Sequence, residues 1–295
     1  MAATSRFRRI SVVATLLIVL STASSIAHAQ YSWHDDSNGD WIASGNWMGG
    51  MAPPGTAADA LTFGSDAMSS YMANIDPTHN PWIANSITFK DGAATISGEI
   101  DNSNASGLLL AGTNPQITQQ GAGVDAFTTP VVLGGDTTID GSGTGTLTFG
   151  AAITEQSSRA SIAIASPNAT VNFFNGGDKT KLDSTYSGGT TISAGTVVLG
   201  SSSFNSQSGA IAGGPLGTGR ITIGGDSAAN LIFTSSANGV TSALIISNPI
   251  TVSSDSMGTV TLGAQSGDVG IFAGNITLGS TVNTGKSIVL TSPNG

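Results

Sequence analysis

Residues 186–199 read Tyr-Ser-Gly-Gly-Thr-Thr-Ile-Ser-Ala-Gly-Thr-Val-Val-Leu. They contain two short runs, residues 190–192 and 196–199, that are rich in the β-branched side chains typical of strands. Ala194 and Gly195 lie between the runs, and glycine adopts a positive φ without steric strain. The stretch therefore predicts a strand, a tight corner and a second strand.

Short strand-like runs and Gly-rich corners continue over most of the chain. The runs contain three to five apolar or Thr residues each and lie at residues 86–89, 94–96, 108–110, 131–133, 137–139, 146–149, 161–164, 170–174, 221–223, 230–233, 243–246, 249–252, 259–262, 270–272, 275–278 and 287–290. No segment after residue 29 has a 3.6-residue apolar period, so the sequence predicts an all-β chain. Coils of about 22 residues would give roughly ten coils after Ile83.

The stretch at residues 186–199 resembles the autotransporter-associated β-strand repeat of bacterial secreted proteins, whose pattern is roughly Y-S-G-G-T-x-x-x-x-G-x-L-x-L. The matching residues are Tyr186, Ser187, Gly188, Gly189, Thr190, Gly195 and Leu199. Val197 stands where the family usually has Leu. The resemblance implies a right-handed parallel β-helix, a solenoid, on the cell surface, and it implies no catalytic chemistry.

The composition excludes several classes of function. Only 9% of the 295 residues are charged, against about 25% in an ordinary soluble domain, and the formal net charge is −9. Nucleic-acid binding is excluded because there is no basic stripe to neutralise phosphates, and docking to anionic lipid is disfavoured for the same reason. The chain has no Cys, so disulfides, thiolate nucleophiles and Cys-ligated metals are also excluded.

The first 29 residues have the three parts of a secretory signal. Arg6, Arg8 and Arg9 precede an apolar run at residues 10–20, and Ala27-His28-Ala29 is an A-x-A cleavage site. The apolar run is shorter than the roughly 20 residues that span a bilayer, which favours cleavage after Ala29 over a membrane anchor. No later stretch is long and apolar enough to span a membrane as a helix.

Residues 30–82 form a Trp-rich segment, followed by β-helix repeats at residues 83–295. All four Trp residues lie in the first segment: Trp33, Trp41, Trp47 and Trp82. The segment resembles the W…G-x-W…N-W…P…D-x-A-x-F opening of secreted members of the same family. A solenoid exposes an unpaired strand edge and an open core at its first coil, so we interpret the indoles as an N-terminal cap. The alternative is a platform on which the indoles stack against sugars.

A longer recurrence links the middle of the chain to its last residues. Residues 149–154 recur at 272–277, and residues 161–168 recur at 287–294, offsets of 123 and 126. The recurrence favours a solenoid. It also predicts that the natural protein continues beyond Gly295, because the second copy stops before its own Tyr-Ser-Gly-Gly-Thr segment.

The sequence contains two polar clusters that could hold a ligand. His34-Asp35-Asp36-Ser37-Asn38-Gly39-Asp40 is rich in oxygen ligands, but it lacks the first Asp and the twelfth-position Glu of an EF-hand loop. We interpret it as a polar turn and leave a looser calcium site as the alternative. The mixed cluster Asp178, Lys179, Lys181 and Asp183 is likewise interpreted as a solvated turn.

No known catalytic motif is present. The chain lacks G-x-S-x-G, H-E-x-x-H and the phosphate-binding P-loop, and His34 and His79 are its only His residues outside the signal. The sequence therefore predicts no catalytic, cofactor-binding or metal-binding residue and no cofactor.

These observations predict a secreted or outer-cell-surface passenger protein with a structural or adhesive role and no activity of its own. Its expected partners are a surface polysaccharide, matrix or another cell, and we expect a monomer. One alternative is a carbohydrate-active β-helix protein that cleaves or binds polysaccharide, which would bring carboxylates together on one side of adjacent coils. Another is a β-sandwich lectin, which would have antiparallel strands.

Export of the full chain from a Gram-negative bacterial host tests the predicted signal. We expect the exported product to begin at Gln30, because Ala27 and Ala29 supply the small residues that signal peptidase requires. Intact-mass spectrometry gives the first residue. Ala29→Arg should block processing, whereas His28→Ala, at the tolerant middle position, should not. An exported product that retains residues 1–29 contradicts the prediction.

Overall fold

The computed structural model describes residues 29–34, 38–64, 70–76, 78–90, 93–98, 100–101, 104–105, 107–157, 159–174, 183–234, 243–279 and 287–291. The predicted signal falls almost entirely outside these residues. Within them the chain is all-β, and its one helical element is the single 3₁₀ turn Ser44–Asn46. Parallel strands stack as a β-solenoid of about eight turns, which confirms the predicted fold.

The solenoid consists of three stacks of parallel strands. The first stack comprises β1 (Ala29–Ser32), β3 (Asp59–Phe63), β6 (Ser86–Phe89), β11 (Gln116–Gln119), β14 (Thr137–Asp140), the first parts of β17 (Ile162–Phe173) and β18 (Thr190–Leu199), β21 (Ile221–Ile223), β24 (Ile250–Val252) and β27 (Ile276–Leu278). The second comprises β2 (Gly39–Asp40), β4 (Ser70–Ile75), β7 (Ala93–Gly98), β12 (Val124–Phe127), β15 (Thr146–Phe149), the second parts of β17 and β18, β22 (Ala229–Phe233), β25 (Val260–Ala264) and β28 (Ile288–Thr291).

The third stack is shorter and interrupted. It comprises β5 (Trp82–Ala84), β10 (Leu108–Leu110), β13 (Val131–Leu133) and β16 (Ile153–Glu155), and then β23 (Leu244–Ile246) and β26 (Gly270–Phe272). Two small antiparallel pairs lie outside the stacks: β8 (Ile100–Asp101) with β9 (Asn104–Ala105), and β19 (Phe204–Asn205) with β20 (Ile211–Gly213).

One inward-facing side chain per coil forms an unbroken apolar column in the first stack. The paired residues are Tyr31, Leu61, Ile87, Ile117, Ile139, Ile164, Ile192, Ile223, Val252 and Leu278. Successive members are separated by between 22 residues (Ile117 to Ile139) and 31 residues (Ile192 to Ile223). The prediction of a uniform 22-residue coil was therefore wrong, and the first stack has eight strands rather than ten after Ile83. The coil length varies because the hydrogen-bonded register fixes the strands but not the length of the corners.

The second stack adds a column of stacked aromatic rings. Phe127, Phe149 and Phe173 are mutually in register, and successive ring centroids lie 5.2 Å apart. Phe89, the last residue of β6 in the first stack, continues the row with its ring centroid 5.6 Å from that of Phe127. These rings are fully buried, so the solenoid has a packed interior with no channel along this part of its axis.

The corner predicted at Ala194-Gly195 joins the first stack to the second. Gly195 has φ +92°, and a Cβ at this position would lie 2.1 Å from the carbonyl oxygen of Ser166 in the preceding coil. Only glycine fits both restrictions. The chain bends here within the continuous strand β18 rather than through a separate hydrogen-bonded turn.

The long sequence recurrence does not correspond to a whole number of coils. Phe149 belongs to the second stack and its counterpart Phe272 to the third, while Ile162 belongs to the first stack and Ile288 to the second. Both pairs are displaced by one stack in the same direction. The repeating unit is therefore a strand with its corner, which can occupy any of the three stacks.

The inward columns should carry most of the stability. Ile139, which is 1% exposed between Ile117 and Ile164, is the test position. We expect Ile139→Ala to cost about 2–5 kcal/mol of the free energy of unfolding, because it leaves a cavity in a packed column. Urea unfolding followed by far-UV circular dichroism measures the change. The control is Thr138→Ala on the outward side of the same strand, which should stay within about 0.5 kcal/mol of wild type; equal costs would contradict the column.

Candidate functional site

The mixed cluster singled out from the sequence lies mostly beyond the described residues. Asp178, Lys179 and Lys181 belong to the undescribed segment 175–182, and Asp183 is its described member. Asp183 is half-buried, and this burial raises the pKa of its carboxyl group. The solvated-turn interpretation of the cluster therefore stays a prediction.

The described part of the His34–Asp40 segment makes contacts within the fold. Asn38 Oδ1 accepts a hydrogen bond from the backbone N–H of Met72 (2.8 Å), and Asp40 Oδ1 accepts one from Asn74 Nδ2 (3.4 Å). Both contacts join this segment to β4, and His34 is exposed. Asp35, Asp36 and Ser37 are not described. Among the described residues, no three His, Asp or Glu side chains are arranged to hold a metal ion.

His79 lies in a local hydrogen-bonded turn. The Thr78 hydroxyl contacts both the Asp76 carboxylate and His79 Nδ1 (3.2 Å), and the Thr78 N–H donates to Asp76 (2.7 Å). These hydrogen bonds lower the pKa of Asp76. Thr78 and His79 are exposed and Asp76 is partly exposed, and the His79 ring centroid lies 5.1 Å from that of Trp82. The geometry is that of an Asx turn at the surface.

The Trp residues form an aromatic cluster inside the first coils, as the cap interpretation predicts. Each is at most 1% exposed. Trp33 packs edge-to-face on Trp47 with ring centroids 5.1 Å apart, and Trp47 Nε1 donates to the carbonyl oxygen of Trp41 (2.7 Å). The alternative of a sugar-stacking platform was wrong, because a sugar ring needs an open indole face and these faces are buried against one another.

The Tyr-Ser-Gly-Gly-Thr motif joins neighbouring coils. The Glu155 carboxylate accepts hydrogen bonds from the Ser187 hydroxyl (2.7 Å), the Ser187 N–H (3.2 Å) and the Ala160 N–H (2.9 Å). Partial burial raises the pKa of Glu155, but these hydrogen bonds outweigh it and hold the pKa below its ordinary value. Tyr186 is fully buried, with its hydroxyl 2.7 Å from Thr190 Oγ1. The motif therefore has a structural role. Glu155 could not be recognised from the sequence, because it lies 32 residues before Ser187.

Outward-facing positions of the first stack present a row of hydroxyl groups, which we call the threonine row. Its members occupy the same register in four successive coils: Thr191, Thr222, Thr251 and Thr277. Stacked parallel strands place such side chains about 4.8 Å apart. Arg220 Nη1 donates to the Thr251 hydroxyl (2.9 Å) and is the one cation that contacts the row among the described residues. The four side chains of the row are themselves polar and uncharged.

The last described coil exposes its inward side chains. Leu278 and Leu290 are 60% and 74% exposed, whereas Val252 and Leu262, their neighbours in the same columns, are each 2% exposed. A cavity of about 630 Å³ opens here between β25, β26 and β28. Its lining is mainly aliphatic, so it has few polar groups that could bind or activate a substrate.

Comparison with known proteins identifies no relative: no family model, curated protein or solved structure matches this chain. The resemblance to the autotransporter-associated repeat therefore stays a prediction. Within the described residues, no helix is long and apolar enough to cross a membrane.

The contact between Glu155 and Ser187 should make the motif sensitive to acid. Because the folded-state pKa of Glu155 is depressed, its ionised form stabilises the fold above pH 4–5, and this stability is lost as pH falls through the depressed pKa. We expect Glu155→Gln to cost about 1–3 kcal/mol at pH 7 and little at pH 3. Urea unfolding at both pH values measures this. Asp226→Asn, at an exposed corner, is the control; an equal effect there would contradict the assignment.

Proposed function

We propose that the protein is a secreted or cell-surface structural scaffold that holds an adhesive hydroxyl surface and catalyses no reaction. The observation that carries the proposal is the threonine row, which repeats in four successive coils. A rigid solenoid is suited to displaying such a row at fixed spacing, because its backbone ladders hold every coil in register.

The charge of the chain indicates the class of partner. Charged side chains are scarce, and the threonine row contacts Arg220 alone among the described cations. Such a surface gives little electrostatic steering, so it suits a neutral partner with many hydroxyl groups. A surface polysaccharide or a glycan-rich matrix fits this description better than nucleic acid or anionic lipid.

The described side chains that could take part in catalysis or ligand binding support a structural role instead. Glu155 and Ser187 hydrogen-bond each other, Asn38 and Asp40 contact β4, and the indoles fill the core. Each group is engaged in holding neighbouring coils together. The proposed place of action, outside the cell, rests on the predicted signal at residues 1–29.

Adhesion to insoluble neutral polysaccharide tests the proposal. We expect the exported chain to co-sediment with cellulose or chitin. In the double variant Thr222→Lys with Thr251→Lys, the bound fraction should fall about tenfold or more. Desolvating two added ammonium groups against a neutral polymer is unfavourable. The control, Thr146→Lys with Thr170→Lys, places the same charges on the outward side of the second stack.

Three outcomes of this experiment are informative. Equal loss in both double variants would show that the threonine row is not the adhesive surface. A folded wild-type chain that binds neither cellulose nor chitin, and no glycan-rich matrix tested in the same way, would contradict the adhesive role. Release of soluble sugar from the polymer would contradict the non-catalytic role and favour the carbohydrate-active alternative.

A further inference from the structure

An acidic side chain occupies an inward position of the second stack. Asp125 pairs with Leu147 on one side, and the pairing of Ala126 with Thr95 places Asp125 opposite Ala94 on the other. The corresponding position in the four coils after Leu147 is always Val or Leu. Asp125 is 3% exposed, so its carboxyl group lies within an otherwise apolar column.

Two hydrogen bonds hold the Asp125 carboxyl group. The backbone N–H of Ala94 donates to Oδ1 (2.8 Å), and Gln119 Nε2 donates to Oδ2 (2.9 Å). Gln119 is itself 1% exposed and stands in register with Phe63 and Phe89, where the core is otherwise aromatic. Its Oε1 is buried and accepts no hydrogen bond. Both oxygens of the Asp125 carboxyl group therefore accept a hydrogen bond, whereas the Gln119 amide oxygen has no donor.

No cation on the described strands around Asp125 compensates a charge at this position. β4, β7, β11, β12 and β15, which surround Asp125, contain no Lys, Arg or His, and Asp125 is their only acidic residue. The titratable Tyr71 on β4 shares the inward column, in register with Ala94, and Asp140 on the neighbouring β14 faces outward. Burial raises the pKa of Asp125 to about 6, although the hydrogen bonds from Ala94 and Gln119 oppose the rise.

We propose that Asp125 and Gln119 form a protonation-controlled joint in the solenoid, closed when Asp125 is neutral and loosened when Asp125 is ionised. A neutral carboxyl group has an O–H donor, and rotation of the Gln119 amide brings Oε1 to accept it. An ionised carboxyl group has no donor for Gln119 Oε1, and it places a charge without an ion-pair partner beside Leu147. The joint lies at the corner between β11 and β12, where the backbone passes from the first stack to the second.

The direction of the pH effect follows from proton binding. The unfolded or locally opened chain has an Asp pKa of about 4, so between pH 4 and 6 the closed state binds more protons. The stabilisation is fully present below about pH 4 and is lost as pH rises through 6. Between pH 5 and 7.5 the equilibrium constant for opening should increase about tenfold. This joint does not depend on the adhesive role.

Hydrogen exchange tests the joint. Amides of residues 116–127 are followed by mass spectrometry at pH 5 and pH 7.5, with rates corrected for the intrinsic pH dependence. We expect their protection in the wild-type chain to fall about tenfold at pH 7.5. Asp125→Asn should remove this fall, because the amide keeps an acceptor for Ala94 and offers a donor to Gln119 Oε1. Asp226→Asn, at an exposed corner away from this segment, is the control and should retain it.

Two further measurements keep the proposal open to refutation if Asp125→Asn folds poorly. Asp125→Leu restores the apolar residue found in later coils and should also remove the pH dependence. In the wild-type chain, labelled with ¹³C-Asp, the infrared band of a protonated carboxyl group should persist at pH 5 and disappear above pH 7. A pH dependence that survives both substitutions, or a carboxyl group that is ionised at pH 5, would overturn the joint.

Discussion

The structure depends on one constraint: each coil must present an apolar side chain at the register set by the coil before it. The backbone ladder fixes that register, and a one-residue slip would turn the whole strand inside out. Leu61, Ile87 and Ile117 satisfy the constraint although 26 residues separate the first pair and 30 the second. Corner length is free because the corners lie outside the ladder. A chain with very irregular spacing can therefore build a regular solenoid.

This constraint explains which strands could be predicted from the sequence. β15 and β21 alternate Thr with Ile, Leu or Phe, and their runs were correctly located. β11 and β12 were missed, because Gln119 and Asp125 place polar side chains at inward positions and erase the apolar signal. The uniform coil length could not be corrected from the sequence, since the length of a coil depends on which stack each strand joins.

The residues of the candidate site divide in the same way. The clustering of Trp residues predicted a cap, because indoles concentrated at one end of a solenoid have an open core to fill. The Tyr-Ser-Gly-Gly-Thr motif could be recognised, but its partner could not: Glu155 lies a full coil before Ser187, and only the stacking brings them within 2.7 Å. Contacts between coils are long-range in sequence and leave no local pattern.

Departures from the repeat therefore carry more information about behaviour than the repeat itself. The Tyr-Ser-Gly-Gly-Thr motif is the clearest motif of the sequence, and its Ser187 joins neighbouring coils through Glu155. The inward pair Gln119–Asp125 matches no pattern, yet burying it costs stability that Leu at the same position would not cost. A purely structural column gains nothing from such a pair. The pair is accounted for by the proposed joint, in which the packing of this one coil responds to the protonation of Asp125.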